Sequence, residues 1–69
     1  MNRKPVSSSN ISEVGYDPDT QTLEVLFTNG NIYQYFDIPQ TVYESLMSSG
    51  SVGQFLSKEI KGNYRYARL

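Results

Sequence analysis

The segment from Phe27 to Pro39 limits the fold of this chain more than any other part, because it contains a hairpin turn and the change from strand to helix patterning. Asn29 and Gly30 separate two apolar runs, and both residue types tolerate the positive φ angles that tight hairpin turns require. We therefore predict that residues 23–27 and 32–36 form neighbouring antiparallel strands.

The pairing register of this hairpin has two solutions, and a slip of one residue turns the side chains of a strand to the opposite face. A two-residue turn puts Tyr33 and Tyr35 on the face opposite Val25. A three-residue loop, with Gly30 as a left-handed bulge, pairs Val25 with Tyr33 instead. We favour this loop because it gathers large apolar side chains on one face that helices can cover: Leu23, Val25, Phe27, Tyr33 and Tyr35.

Two helices are predicted after the hairpin. Pro39 suits a first helical turn, where its missing N–H needs no intrahelical partner, and Asp37 is placed to cap that turn. A second helix begins after Ser51, because the spacing from Ser51 to Gln54 fits a capping box. Gly62 ends this helix.

These elements predict an α+β domain: a three-stranded antiparallel meander followed by two helices packed on one sheet face, in the order β-β-β-α-α. The first strand covers residues 10–16. Residues 1–9 are polar and contain a serine run, so we expect a flexible N-terminal arm. Residues 10–69 form a single domain, since a chain of 69 residues supports only one core.

The composition argues against catalysis and against metal or cofactor binding. There is no histidine, the commonest general base and metal ligand, and there is no cysteine to supply a thiolate. The sequence indicates no catalytic residue, no metal ligand, no cofactor and no small-molecule substrate. It has neither a signal peptide nor a membrane span, so we expect a soluble cytoplasmic protein.

Charge is distributed unevenly along the chain. Residues 10–44 contain six acidic residues and no lysine or arginine, whereas the last part of the chain is basic. Its cations alternate with aromatic residues, and this mixture suits contact with phosphates together with stacking on bases. The candidate nucleic-acid-binding surface consists of Lys58, Lys61, Tyr64, Arg65, Tyr66 and Arg68.

The second face of the predicted sheet is the alternative site. In the favoured register, three large apolar side chains lie there, away from the helices: Leu26, Ile32 and Phe36. Such a group is unusual on the surface of a small monomer. It predicts a protein interface, a homodimer, or coverage by the C-terminal tail.

The spacing of several residues resembles the KTSC domain family. The resemblance covers residues 9–69 and centres on a Tyr-x-Tyr signature, here Tyr33 and Tyr35, flanked by Gly30 and Pro39. Tyr33 and Tyr35 are candidate stacking platforms for bases. The favoured register instead turns both rings toward the helices, so we expect the four signature residues to be structural. Because this domain is also fused to the C-terminus of some lysyl-tRNA synthetases, the resemblance implies a small bacterial RNA-binding module, with a tRNA-like RNA as its partner.

Overall fold

A five-stranded antiparallel sheet is the centre of the computed structural model, which describes all 69 residues. Two short helices lie against one face of this sheet, and a π-helical turn, Leu56–Ile60, continues the second helix. The strands follow one another across the sheet in chain order. The elements are β1 (Arg3–Pro5), β2 (Ile11–Asp17), β3 (Thr22–Phe27), β4 (Ile32–Tyr35), α1 (Gln40–Ser48), α2 (Val52–Phe55) and β5 (Tyr66–Arg68).

The hairpin between β3 and β4 has the register that places the tyrosines on the apolar face. Val25 pairs with Tyr33, and Leu23 pairs with Tyr35. Gly30 has φ +92°, and its N–H donates to the Phe27 carbonyl at 3.0 Å. The three-residue loop is therefore confirmed. Gly30 occupies the left-handed position that other residues adopt only at a cost.

The α+β class is confirmed, but the prediction of three strands is wrong, because the sheet has two further strands at its edges. β1 comes from the segment predicted as a flexible arm. It lies close to β2 because position 15 has no side chain: a Cβ on Gly15 would lie 2.9 Å from Cγ of Arg3 and 3.0 Å from the Asn2 carbonyl oxygen. The Arg3 guanidinium then donates to Glu13 at 3.1 Å and to Glu24 at 2.9 Å.

The C-terminal tail supplies the other edge strand. In β5, Tyr66 pairs with Tyr35, and Arg68 pairs with Tyr33. The backbone N–H of Phe36 also donates to the Arg65 carbonyl at 2.9 Å. Since facing residues of paired strands share one side of a sheet, Tyr66 lies on the same side as the two signature tyrosines.

The two helices begin differently from each other. Pro39 is the N-cap of α1 and makes no side-chain capping bond, so the predicted cap by Asp37 is wrong. Asp37 instead has φ +59°, and it makes the sharp bend between β4 and α1. Ser51 does cap α2, because its Oγ accepts the Gln54 N–H at 3.3 Å.

The core lies between the helices and the helix-facing side of the sheet. Tyr16 on β2 stacks on Tyr43 of α1, with ring centroids 4.6 Å apart, and its hydroxyl donates to the Ile38 carbonyl. This contact fixes α1 against the sheet. No helix has both the length and the apolar character needed to cross a membrane. The buried apolar residues are Ile11, Val14, Leu23, Val25, Tyr35, Ile38, Leu46, Val52, Leu56 and Ile60.

Candidate functional site

The π-helical turn at the end of the second helix positions one wall of the candidate site. The Lys61 N–H donates to the Leu56 carbonyl at 2.8 Å, a bond that spans five residues. Gly62 follows with φ +82°, which ends the turn. Isolated π turns of this kind occur frequently at functional sites. Here the turn brings Lys61 over β3, where its Nζ lies 5.7 Å from the centroid of the Phe27 ring.

A groove of about 480 Å³ opens between this turn and the ends of β3, β4 and β5. We call it the aromatic groove, because four of its eight lining residues are aromatic. Its volume lies within the range of small-molecule sites, about 300–1,000 Å³. No acidic residue lines it. The lining residues are Phe27, Asn29, Asn31, Tyr33, Tyr35, Lys61, Gly62 and Tyr66.

The four rings form one continuous cluster with Tyr33 in the middle. The Tyr33 centroid is 5.5 Å from that of Phe27, 6.4 Å from that of Tyr35 and 5.9 Å from that of Tyr66. Tyr35 is only 2% exposed, whereas Tyr66 is 62% exposed. The groove therefore has a rigid buried base and one open ring on which a planar ligand could stack.

The phenol hydroxyls add polar groups to the groove. Burial raises the pKa of Tyr35, and the charges that the phenols of Tyr33 and Tyr66 would carry raise it further. The Tyr35 hydroxyl makes no hydrogen bond within the protein. Because every fully buried side-chain oxygen has a partner, this hydroxyl is not fully buried. Tyr35 lines the groove, so we infer that its hydroxyl reaches the groove surface. Around neutral pH this hydroxyl is protonated and can both donate and accept.

Two asparagines at the rim have their amide orientation fixed. Oδ1 of Asn29 accepts the Asn31 N–H at 3.0 Å, and Oδ1 of Asn31 accepts from Nη2 of Arg68 at 3.2 Å. Because a backbone N–H and a guanidinium can only donate, the acceptor in each pair must be the amide oxygen. Both amide nitrogens therefore remain without a partner in the protein.

The structure divides the six residues of the predicted basic-aromatic surface among different places. Lys61 and Tyr66 line the aromatic groove, and Arg68 joins its rim through Asn31. Lys58 lines a separate cleft without apolar side chains, in which five of the ten lining residues are serines. Tyr64 lies in a shallow depression beside the two helices, next to Val42 and Phe55.

Arg65 lies on the opposite side of the sheet from the aromatic groove. Its Nη2 is 2.9 Å from Oδ2 of Asp37, and its guanidinium carbon is 5.4 Å from the Phe36 ring centroid. Both side chains of the ion pair are largely exposed, 74% for Arg65 and 70% for Asp37. Arg65 is therefore paired with an acidic side chain on the outer side of the sheet and does not line the aromatic groove.

The outer sheet face carries the three apolar residues of the alternative site. Leu26 pairs with Ile32 on this face, and both are half-buried, as is Phe36. A polar network crosses the face beside them. In this network Glu24 accepts from Arg3 and from Nε2 of Gln34, both at 2.9 Å.

The residues predicted as structural have distinct places around the site. Gly30 forms the hairpin bulge and Pro39 begins α1. Tyr33 and Tyr35 belong to the core side of the sheet and also line the aromatic groove. The groove residues that the sequence did not single out as a site are Phe27, Asn29, Asn31 and Gly62.

A five-stranded antiparallel sheet with helices on one face and a ligand-sized groove at its edge defines a small α+β domain. The sequence model of the KTSC domain matches residues 7–64. The chain belongs to the KTSC domain family.

A solved structure has the same fold. The crystal structure of a KTSC domain protein from Yersinia pestis superimposes with a TM-score of 0.93 at 40% sequence identity, covering 99% of this chain and 96% of that one. Among curated proteins, an uncharacterized protein of Stutzerimonas stutzeri is 37% identical over 70 residues, covering 100% of this chain and 99% of that protein.

Lysine–tRNA ligases contain a similar segment. The enzyme of Nostoc sp. is 48% identical over 54 residues, which are 78% of this chain and 10% of the ligase. That of Trichormus variabilis is 44% identical over 59 residues, again 10% of the ligase. The chain thus spans about a tenth of the length of these ligases.

Proposed function

We propose that this protein is a non-catalytic RNA-binding module and that RNA binds in the aromatic groove. The observation that carries the proposal is the composition of the groove: four aromatic rings, a lysine at the wall, an arginine at the rim and no acidic residue. Aromatic side chains stack on unpaired bases, while lysine and arginine contact phosphates. Three of the six residues predicted as a basic-aromatic surface contribute: Lys61, Tyr66 and Arg68.

The relatives support an RNA partner. Similar segments occur in three lysine–tRNA ligases, proteins whose name includes a tRNA substrate. We therefore propose a tRNA-like RNA as the partner of this chain. An RNA partner would place the protein in the cytoplasm.

Two charge reversals test the proposal with a built-in control. Lys61 and Lys58 are three residues apart, both are exposed, and replacing either one by glutamate changes the net charge equally. Only Lys61 lines the aromatic groove. We expect Lys61→Glu to weaken binding to a mixed tRNA pool about tenfold, because a phosphate contact is lost and the new carboxylate repels the phosphates. Lys58→Glu should bind within about twofold of the wild type.

Binding is measured by fluorescence anisotropy at low salt, with circular dichroism to check that both variants fold. Equal weakening by the two reversals would contradict the groove as the binding place, because it would indicate attraction by total charge alone. Unchanged binding in Lys61→Glu would contradict it as well.

The second candidate function is a protein interface or homodimer on the outer sheet face. The pair of Leu26 and Ile32 favours it, because no helix covers this pair and both side chains remain half-buried. If the face joins two copies, Leu26→Asp should convert a dimer into a monomer by placing a charge in an apolar contact. Analytical ultracentrifugation measures this, and a wild type that is monomeric at high concentration would exclude the homodimer.

A further inference from the structure

We infer that the aromatic groove holds one unpaired nucleotide rather than a stretch of duplex, and that its base carries a carbonyl oxygen, as uracil, guanine and cytosine do and adenine does not. This inference rests on the proposed RNA-binding function and specifies its ligand. It follows from three properties of the groove: the number of cations beside it, the exposure of its open ring, and the donor character of its free hydrogen-bonding groups.

Few cations are available for the phosphates of one ligand. Lys61 and Arg68 flank the aromatic groove, and each can contact one phosphate. Lys58 faces a different cleft, and Arg65 is paired with Asp37 on the other side of the sheet. Because duplex binding relies on many phosphate contacts, two cations suit a ligand of one or two nucleotides.

The rings also suit a single base. Tyr66 is the one ring in the groove that is mostly exposed, while Tyr35 is buried and Tyr33 is half-buried beneath it. The Tyr66 ring is inclined to that of Tyr33 by 33° and to that of Tyr35 by 38°, with centroids about 6 Å apart. A base that stacks on Tyr66 must have a free face, which only an unpaired, unstacked nucleotide offers.

The rim of the groove presents more donors than acceptors. The amide oxygens of Asn29 and Asn31 are occupied within the protein, so only their NH₂ groups remain for a ligand. The Lys61 ammonium is also a donor only. Bases with a carbonyl oxygen match this surface, since uracil presents O2 and O4, guanine presents O6 and N7, and cytosine presents O2 and N3 as acceptors. Adenine has no carbonyl oxygen, and its amino group lies between the acceptors N1 and N7.

The test is an amide-resolved NMR titration of the intact chain with the four ribonucleoside 5′-monophosphates, followed by a short U-rich single strand and a duplex of the same length. We expect shifts at the aromatic groove, and about threefold tighter binding of the uridine, guanosine and cytidine nucleotides than of the adenosine nucleotide, the effect of one hydrogen bond gained or lost. Tyr66→Ala should weaken their binding about tenfold, because stacking on this ring is lost.

Salt dependence separates this inference from the function on which it rests. A groove that contacts one or two phosphates predicts a slope of log K against log salt between about −0.7 and −1.4 for single strands. If the tRNA pool binds with a slope corresponding to four or more phosphates, or if all four nucleotides bind equally, the inference fails and the RNA-binding function stands. If neither nucleotides nor any RNA bind at low salt, both fail.

Discussion

Replacement of Gly15 by alanine should destabilise the domain strongly, although it adds a single methyl group. The new Cβ would lie 2.9 Å from Cγ of Arg3 and 3.0 Å from the backbone oxygen of Asn2. The backbone oxygen cannot rotate away, so β1 must move. Overpacking of this kind costs about 1–3 kcal/mol. Movement of β1 also weakens the half-buried contacts of Arg3 with Glu13 and Glu24. This loss lowers the free energy of unfolding by about 1 kcal/mol more.

The total of about 2–4 kcal/mol is large for a domain of this size, whose free energy of unfolding is about 3–5 kcal/mol. Urea denaturation followed by circular dichroism measures the difference. Gly50→Ala is the matched control, because a Cβ there meets no atom within 4 Å and Gly50 has an ordinary φ. Both alanines restrict the unfolded chain equally, so the difference between the variants isolates the clash. Equal stability of the two variants would refute the close packing of β1 against Gly15.

Three further predictions concern the surroundings of the aromatic groove. Because burial raises the pKa of Tyr35 above 10.0, the contribution of Tyr35 to the free energy of unfolding should be constant well below pH 10 and should fall as the pH rises through 10 toward the folded-state pKa. In urea titrations, Tyr35→Phe should remove part of the fall in the free energy of unfolding above pH 10. The remaining part is due to Tyr16, whose pKa is also raised by burial. An unchanged pH profile in Tyr35→Phe would contradict the prediction. Arg65→Ala should cost less than about 1 kcal/mol, since its ion pair with Asp37 is exposed, and should leave RNA affinity within about twofold; a greater loss of affinity would place RNA on the outer face. Gly62→Ala should cost about 1 kcal/mol, because Gly62 has a left-handed φ, and it should displace Lys61 and weaken RNA binding; wild-type stability would show that the turn does not need this φ.

Local chemistry explains which parts of the fold the sequence predicts correctly. The turn at Asn29 and Gly30 predicts the hairpin, and the gathering of apolar residues on one face favours the observed register over the two-residue turn. The cap of α2 by Ser51 is likewise a local signal. These features depend on residues that are close together in the chain.

The two edge strands could not be predicted in this way, because each is three residues long and depends on distant partners. β1 is held by the absence of a side chain at Gly15 and by the ion pairs of Arg3. β5 is held by pairing with β4 and by the contacts of Tyr66 with Tyr33 and Tyr35. Neither strand has an apolar alternation long enough to stand out in the sequence.

The candidate site was only partly accessible to sequence reasoning for the same reason. The cations and tyrosines of the tail were evident, but their faces depend on the path of β5 and on the π-helical turn. In β5, Tyr66 and Arg68 lie on the groove side, while Arg65, the residue before the strand, lies on the outer face. Alternation along an extended tail predicts such a division, provided that the tail is recognised as a strand.

The central claim is that RNA binds in the aromatic groove, and an amide-resolved NMR titration of the intact chain with a mixed tRNA pool tests it most directly. The titration is made at low salt and repeated near physiological salt. Shifts concentrated at Phe27, Asn31, Lys61 and Tyr66 that weaken as the salt rises are the predicted result. Shifts confined to Leu26, Ile32 and Phe36, or no shifts at low salt, would contradict the claim.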